Sequence, residues 1–342
     1  MDTTFTAAAT VPPKGYTFLF HGNCIDGWFS AYIAHTALKA TGPINMFPIS
    51  PSQTNTWPKM AEMKGRHVLL LDVSVAEHHR TAWLAAGVLS VNCIDHHASA
   101  MEHWPADSNP IDTTRCAAVQ TWQRFYPGVE IPFWLHHIDR VDRWDNPTYE
   151  DRCVREVLND IAHKPVQKKL AEAFTLTELF LSNISTPVGM AMVMAQGKQI
   201  LDGKDAALMT TLGSGTFHTF TADYISGWGL PAHWLGANVF IIDNTTTTLD
   251  TTEAAHLVFQ HYPAVNVFIN YRKKTMFMKG RVAAEGMMGE PDQVKTMYVY
   301  SARSRGFNLT EGGSILRGHP TAAGASLTVG EVPVLPFLLA AA

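Results

Sequence analysis

Three short apolar segments in the first hundred residues each end in side chains that can bind a cation or carry a proton. His67–Leu71 is an almost unbroken run of Val and Leu, which is typical of a parallel strand covered on both faces, and Asp72 follows it. A second run ends at His21 and a third ends just before Asp95. Helix-like segments lie between them, and this alternation predicts a doubly wound parallel sheet. Because parallel strands present their carboxyl ends at one edge, we expect these polar residues to meet there.

The remaining elements of the N-terminal part follow the same alternation. Apolar spacing and turn residues predict strands over residues 16–20, 45–49, 67–71 and 89–94. Helical spacing predicts helices over residues 28–38, 75–86, 116–125 and 151–162.

The pattern changes in the second half of the 342-residue chain. It is helical from about residue 166 to residue 201, and then predicts strands over 216–222, 237–242, 265–271 and 297–302, a helix over 252–260 and a loop over 279–293. The expected fold class is α/β, with an N-terminal doubly wound parallel sheet joined by a helical linker to a smaller α/β C-terminal domain. The expected boundaries are a flexible tail over 1–14, the first domain over 15–185, the linker over 186–204 and the second domain over 205–342.

Composition excludes several classes of protein. With 26 basic and 30 acidic residues the net charge is −4, so the overall charge does not supply the basic surface that gripping long duplex nucleic acid requires, and only a local basic groove stays open. Its four cysteines form no CxxC pair, which argues against a disulfide scaffold and a cysteine-only zinc site. No apolar run is long enough to span a bilayer, and the first fifteen residues carry no secretory signal. We therefore expect a cytoplasmic protein with no membrane partner.

The polar residues at the predicted sheet edge are of the types that bind metal ions. Several carboxylates in one cleft repel one another, and a divalent cation is the simplest compensation. Mixed imidazole and carboxylate ligands suit Mn²⁺, Zn²⁺ or Fe²⁺ better than Ca²⁺. Each residue alone also has a structural interpretation, His21 as a capping or core histidine and Asp72 as the cap of the following helix. Their convergence on one edge favours the metal site.

Four motifs of the N-terminal part occur together in a known family. HGNCIDG begins at His21, a strand ends at Asp72, DHH begins at Asp95 and IDRVDRW begins at Ile138. In this order the chain resembles the DHH phosphoesterase superfamily. The last motif is similar to that of its nano-RNase and oligoribonuclease members.

Two further motifs lie in the second half. SARS begins at Ser301, and RGHPTAAG begins at Arg317. They resemble the Ser-x-Arg-Ser and Gly-Gly-His-x-x-Ala-Ala-Gly motifs of the DHH-associated C-terminal domain. The resemblance therefore extends from about Tyr16 to Ser326.

The resemblance implies a two-metal hydrolase. The cofactors would be two divalent ions, usually Mn²⁺, with Mg²⁺, Co²⁺ or Fe²⁺ as alternatives, bridged by Asp72. The implied metal ligands are His21, Asp26, Asp72, His96 and Asp139. Asp95 would orient a histidine, and His97 would contact the scissile phosphate. The implied substrate-binding residues of the second domain are Arg303, Gly318, His319, Ala323 and Gly324.

The chain departs from the family pattern at three places. Many relatives carry a carboxylate where this chain has Cys24, so either Cys24 ligates as a thiolate, Asn23 helps instead, or this metal site is weaker. Asp142 competes with Asp139 as the ligand from the fourth motif, and the alignment favours Asp139. Arg317 replaces the first glycine of the C-terminal motif.

The expected function is a phosphodiesterase that hydrolyses short single-stranded oligonucleotides or dinucleotides with a metal-activated water. Two alternatives stay open, namely a hydrolase of small phosphoanhydrides or phosphomonoesters and a nucleotide-binding protein with a decayed metal site. Long duplex is not an expected partner, and a homodimer is one assembly that the sequence allows.

Overall fold

The computed structural model divides the chain into two compact units, Met1–Leu201 and Asp202–Ala342. It describes residues 14–22, 24–50, 57–102, 104, 111–163, 170–243, 245, 249, 251–278, 293–305, 308–309, 317–319 and 322–328. The predicted tail up to residue 13, Asn23 and all but the last residue of the predicted loop over 279–293 lie outside these ranges. Within the described ranges, no helix combines the length and the hydropathy needed to cross a membrane.

The first unit is built on a four-stranded sheet in the order β2-β1-β3-β4. All three neighbouring pairs are parallel. The strands are β1 Tyr16–His21, β2 Ile44–Ile49, β3 His67–Leu71 and β4 Ser90–Ile94. The helices are α1 Ile25–Leu38, α2 Met60–Met63, α3 Glu77–Ala85, α4 Ala117–Phe125, α5 Phe133–Asp142, α6 Tyr149–His163 and α7 Leu170–Ile184, and a further helix, α8 Pro187–Leu212, begins in this unit and ends in the second. The predicted α/β class with a parallel N-terminal sheet is confirmed.

Both faces of this sheet are apolar because helices cover both. Phe18 and Leu69 are buried in the core that also contains side chains of α1 and α4. Leu19 and Leu70 face the other way and are buried with Met63 of α2 and Trp83 of α3. A strand covered on both sides cannot alternate polar with apolar residues, which explains the continuous apolar run of β3.

Helix α8 covers the predicted linker over 186–204 except its first residue, and continues to Leu212. Its sequence contains no proline after Pro187 and is rich in Ala, Met and Leu, which favour helix. Gly197 is buried where α8 crosses α6, and a Cβ there would overlap the carbonyl group of Cys153. The absence of a side chain at this position lets the two helix backbones approach.

The second unit contains a six-stranded sheet in the order β5-β6-β7-β8-β10-β9. The pair β6 and β7 is parallel, and the other neighbouring pairs are antiparallel. The strands are β5 Thr216–Thr219, β6 Asn238–Asp243, β7 Val267–Met278, β8 Gln293–Ser304, β9 Arg317–His319 and β10 Ala322–Thr328. Two helices accompany them, α9 Ala222–Trp228 and α10 Thr251–His261.

Three predicted strands of the second unit have clearly different bounds in the structure. The strand expected over 265–271 is β7, which begins at Val267 and continues to Met278 because it pairs with β8 over its whole length. The strand expected over 216–222 stops at Thr219, because Thr221 occupies the N-cap position of α9 and Ala222 is already helical. The strand expected over 297–302 begins at Gln293 instead, since β8 pairs with β7 along twelve residue positions. Long-range pairing of this kind extends a strand beyond its apolar stretch.

The helix crossing gives a stability prediction with a control on the same helix. We expect Gly197→Ala to destabilise the protein by about 1–3 kcal/mol, because the added methyl group meets backbone that cannot rotate away. Gly203→Ala, on exposed α8 surface with open space around the Cβ, should stabilise it by about 0.5–1 kcal/mol. Urea unfolding of both variants measures the difference. Equal effects would show that α6 and α8 do not pack closely at Gly197.

Candidate metal centre

The site lies at the carboxyl edge of the parallel sheet, where β1, β3 and β4 are neighbours. The chain leaves β1 toward β2 on one side, while β3 and β4 lie on the other, so the edge between β1 and β3 is a topological switch point. His21 is the last residue of β1, Asp72 follows β3 and Asp95 follows β4. The fold thus brings together three polar positions that are up to 74 residues apart in the sequence.

The turn from β1 into α1 is tight because of Gly27. A Cβ at this position would lie 2.9 Å from His21 Cβ and would also overlap the His21 carbonyl oxygen. Glycine therefore lets the first turn of α1 pack directly against the end of β1. This packing places Asp26, which is fully buried, beside the strand edge.

The Asp26 carboxylate also serves the N-terminus of α4. It accepts hydrogen bonds from the backbone N–H groups of Ala117 and Ala118 at 2.8 and 2.7 Å. Asp139 of α5 accepts the preceding N–H, that of Cys116, at 2.7 Å. Two carboxylates from different helices thus satisfy the first N–H groups of α4, which have no partner within the helix.

Asp72 has a backbone conformation that is rare for a residue with a side chain. Its φ is +57°, in the left-handed region, and its N–H donates to the carbonyl of Ile94 at 2.9 Å. The carboxylate lies 3.1 Å from His21 Nδ1 and 3.4 Å from His96 Nε2. Burial alone would raise the pKa of Asp72, but the two histidines lower this pKa far below its usual range.

His96 lies among three carboxylates. Its Nε2 is 3.1 Å from Asp142, 3.4 Å from Asp72 and 3.6 Å from Asp26. Burial works to lower the pKa of His96, yet the surrounding carboxylates, Asp142 foremost, raise it well above its usual value. The acidic neighbours therefore favour the protonated form of this imidazole when no cation is present.

Asp95 orients both histidines of the DHH motif. Its Oδ1 accepts the backbone N–H of His96 at 2.7 Å and that of His97 at 3.2 Å. The same oxygen lies 2.7 Å from His97 Nδ1, so the other ring nitrogen of His97 is directed away from Asp95. Burial works to lower the pKa of His97, and the Asp95 carboxylate raises it above the usual value. His97 is one-third exposed and is placed to donate a hydrogen bond to an anion.

The two aspartates of α5 have different surroundings. Asp139 is held by Arg115 at 2.9 Å and by Arg143 at 2.9 and 3.2 Å, in addition to the N–H of Cys116. Asp142 instead faces His96, and the Cys24 thiol donates to it at 3.9 Å. The structure thus groups Asp142, and not Asp139, with the other candidate ligands, so the sequence-based choice of Asp139 stays a prediction that the geometry does not favour.

Among the described residues, three groups of side chains place their ligand atoms within 4.8 Å of one another: His21, Cys24 and Asp72; Asp72, His96 and His97; Asp26, His96 and Asp142. Asp72 belongs to two of these groups, as a bridging carboxylate would. Burial and the charges of Asp72 and Asp142 raise the pKa of Asp26 well above its usual range, so the carboxylates repel one another in the absence of a cation. The donor set of imidazoles and carboxylates therefore fits a pair of divalent ions.

The predicted substrate-binding residues converge in the backbone of the second unit. Arg303 on β8 pairs with Ala322 on β10, which pairs in turn with His319 on β9. Ala323 pairs with Gly318 in the next row, and Gly324 follows in β10. Motifs that are about fifteen residues apart in the sequence thus occupy adjacent rows of three neighbouring strands.

Sequence reasoning missed the residues that support the site from outside the motifs. Arg115 and the N-terminus of α4 fix Asp139 and Asp26, but neither belongs to a recognised motif. The only sequence signal was the start of a helix near Cys116, and nothing in it indicated which acidic residues would cap that helix.

No family model and no curated protein matches the sequence. Among solved structures, the DHH domain of a member of a family of ribosomal proteins is similar, with a TM-score of 0.52 and 11% identity over 92% of this chain and 83% of that one. A pGpG-specific phosphodiesterase, PggH, from Vibrio cholerae is similar with a TM-score of 0.46 and 10% sequence identity, covering 95% of this chain and 97% of that one. RecJ from Thermus thermophilus in complex with Mn²⁺ is similar with a TM-score of 0.42 and 12% sequence identity, covering 92% of this chain and 50% of that one.

The chain has the fold of the DHH proteins. The likeness to the ribosomal-protein DHH domain supports this statement, because it extends over nine-tenths of the chain. The fold that the four N-terminal motifs predict is thereby confirmed.

The two aspartates of α5 give a prediction that separates ligation from structural support. We expect Asp142→Asn to weaken divalent metal binding at least about tenfold, since even loss of an outer hydrogen-bond partner costs about 10–100-fold. It should change the stability of the metal-free protein little, because the lost repulsion between Asp142 and Asp26 and the lost attraction between Asp142 and His96 oppose each other. Asp139→Asn should retain the bound metal but lose about 1.5–3 kcal/mol of stability with its charged hydrogen bonds to two arginines. Metal titration and urea unfolding measure both effects, and the reverse pattern would make Asp139 the ligand.

Proposed function

We propose that the protein is a metal-dependent phosphodiesterase that hydrolyses short single-stranded oligonucleotides or dinucleotides. The observation that carries the proposal is the convergence at one sheet edge of three histidines and four carboxylates: His21, His96, His97, Asp26, Asp72, Asp95 and Asp142. The DHH fold is consistent with it, and the similar structures include a phosphodiesterase acting on pGpG and a RecJ exonuclease.

Two divalent ions would be held by the grouped side chains. His21 and Asp72 offer one set of ligands, and Asp26, Asp72, His96 and Asp142 offer the other. When bound, such a pair of ions supplies a hydroxide at neutral pH and neutralises the charge that develops on phosphorus. Asp26 and Asp72 are held in place for this task, because backbone N–H groups bond to the first and an imidazole contacts the second.

His97 contributes separately from the ligands. Its Nδ1 contacts Asp95, and its partly exposed ring would let Nε2 donate to a non-bridging phosphate oxygen. A protonated imidazole in this position stabilises negative charge on the phosphate without being consumed. Asp95 keeps the ring in place throughout.

The second unit would hold the part of the substrate that is remote from the scissile bond. Arg303 is half-buried and its guanidinium donates to the carbonyl of Ala302 and to the hydroxyl of Thr252, which orients it on the sheet. The glycines and alanines of β9 and β10 would let a phosphate or base approach the backbone closely. A net charge of −4 suits a small substrate better than a long polyanion.

Metal dependence is the first test of this proposal. Chelation should abolish hydrolysis of the dinucleotide pApA, and Mn²⁺ should restore it. Asp72→Asn should lower activity more than about 100-fold, because it removes the negative charge of a carboxylate shared by two groups of candidate ligands. This loss should exceed the roughly 10–100-fold effect of removing a residue that only hydrogen-bonds to a ligand. Glu77→Gln, which changes an exposed acid on α3, should be silent. Full turnover in a metal-free preparation would contradict the proposal.

A second test separates remote binding from chemistry. Arg303→Ala should reduce kcat/KM for pApA about 10–100-fold, the equivalent of one charge-assisted hydrogen bond of about 1.5–3 kcal/mol. It should leave hydrolysis of a nitrophenyl phosphodiester, which lacks a remote nucleotide, almost unchanged. Arg272→Ala, an exposed arginine on β7, is the matched control. Equal losses on both substrates would exclude a substrate-gripping role for Arg303. Faster hydrolysis of pyrophosphate or a phosphomonoester than of pApA would indicate a different substrate class.

A further inference from the structure

Cys24 differs from the other three cysteines of the chain. Cys93, Cys116 and Cys153 are buried, whereas Cys24 is partly exposed at the edge of the candidate metal centre. It occupies the N-cap position of α1, and its side chain makes no capping hydrogen bond. Packing does not explain an accessible cysteine, and capping does not explain it either, because Ser, Thr, Asp or Asn would stabilise that position better.

The Cys24 thiol points toward the candidate ligands. Its sulfur lies 3.9 Å from Asp142 Oδ1. One ligand atom each from Cys24, His21 and Asp72 falls within 4.8 Å of the others. Two features of the backbone hold this arrangement, namely the close approach of Gly27 to His21 and the left-handed conformation of Asp72.

We propose that Cys24 is a metal ligand that, together with His21 and Asp72, makes this site selective for Zn²⁺, Co²⁺ or Fe²⁺ over Mn²⁺ and Mg²⁺. The inference rests on the proposed function and specifies which metal ions one half of the proposed centre prefers. Thiolates are soft ligands and favour these ions, while an all-oxygen and imidazole site accepts Mn²⁺. As the sulfur–metal bond forms, the thiol releases its proton to solvent.

The two halves of the centre would then differ in chemistry. The group of Asp26, His96 and Asp142 contains no sulfur and offers only imidazole and carboxylate atoms. The centre would therefore hold a pair of unlike ions when both soft and hard metals are present. A carboxylate in place of Cys24 would make both sites alike.

The experiment is a Co²⁺ titration of the metal-free full chain, followed by absorption spectroscopy and by metal content. The wild-type protein should develop a near-ultraviolet thiolate-to-cobalt charge-transfer band. Cys24→Ser and Cys24→Asp should lose the band and still bind cobalt at the sulfur-free site. Cys153→Ala, a buried cysteine of α6, is the control and should keep the band.

Competition between Zn²⁺ and Mn²⁺ gives a second readout that does not depend on activity. The preference for Zn²⁺ over Mn²⁺ should fall at least about tenfold in Cys24→Asp. Loss of a residue that only hydrogen-bonds to a ligand already lowers metal affinity about 10–100-fold, and replacement of a ligand itself should have a larger effect. Two bound cobalt ions without the band, or a band that survives Cys24→Ser, would overturn the role of Cys24 alone. Failure of the wild-type protein to bind cobalt would overturn this inference, while restoration of activity by Mn²⁺ tests the proposed function separately.

Discussion

The candidate centre depends on the position of one carboxylate, that of Asp72. The residue takes a left-handed φ of +57° where β3 ends, a conformation that costs a non-glycine residue about 1–3 kcal/mol. Its N–H bond to Ile94 and the parallel pairing of β3 with both neighbours hold it there. The carboxylate can therefore contact His21 at the end of β1 and His96 after β4, the two strands that flank β3. Without this contact, the polar ends of the three strands would share no partner.

Carboxylates and imidazoles lie side by side around Asp72, and the balance between their charges determines which ions the site can bind. Burial disfavours every ionised group here, so the pKa of Asp26 is raised, while the carboxylates raise the pKa of His96. Protonation of these groups is thus favoured when no cation is present. A divalent cation would displace these protons, and its affinity would fall as the pH decreases. The charge of Asp139 is instead compensated by hydrogen bonds from Arg115 and Arg143, so this carboxylate does not take part in the exchange of protons for a cation.

The sequence predicted the sheet and the meeting of the polar strand ends at one edge, because both depend on local pattern. The apolar run of β3 and the polar residues after β1, β3 and β4 are visible without a structure, and parallel strands must bring such ends together. The choice between Asp139 and Asp142 was not predictable in this way. The two aspartates lie three residues apart on α5. Asp139 is held by the Cys116 N–H at the start of α4 and by two arginines, and Asp142 is therefore the one that faces His96. The bounds of β5 and β8 likewise depend on a neighbouring helix and on long-range pairing.

The shared capping of α4 has a consequence for how the centre forms. Asp26 bonds to amides 91 and 92 residues further along the chain, and Asp139 bonds to one that lies 23 residues before it. A chain that has been synthesised only as far as the DHH motif already contains β1, β3 and β4, but the buried Asp26 carboxylate would still lack its backbone partners. The Asp26 and Asp139 carboxylates therefore acquire their backbone partners only after contacts distant in sequence have formed. Local opening of α4 would release Asp26 and disorganise the centre while the parallel sheet stays folded.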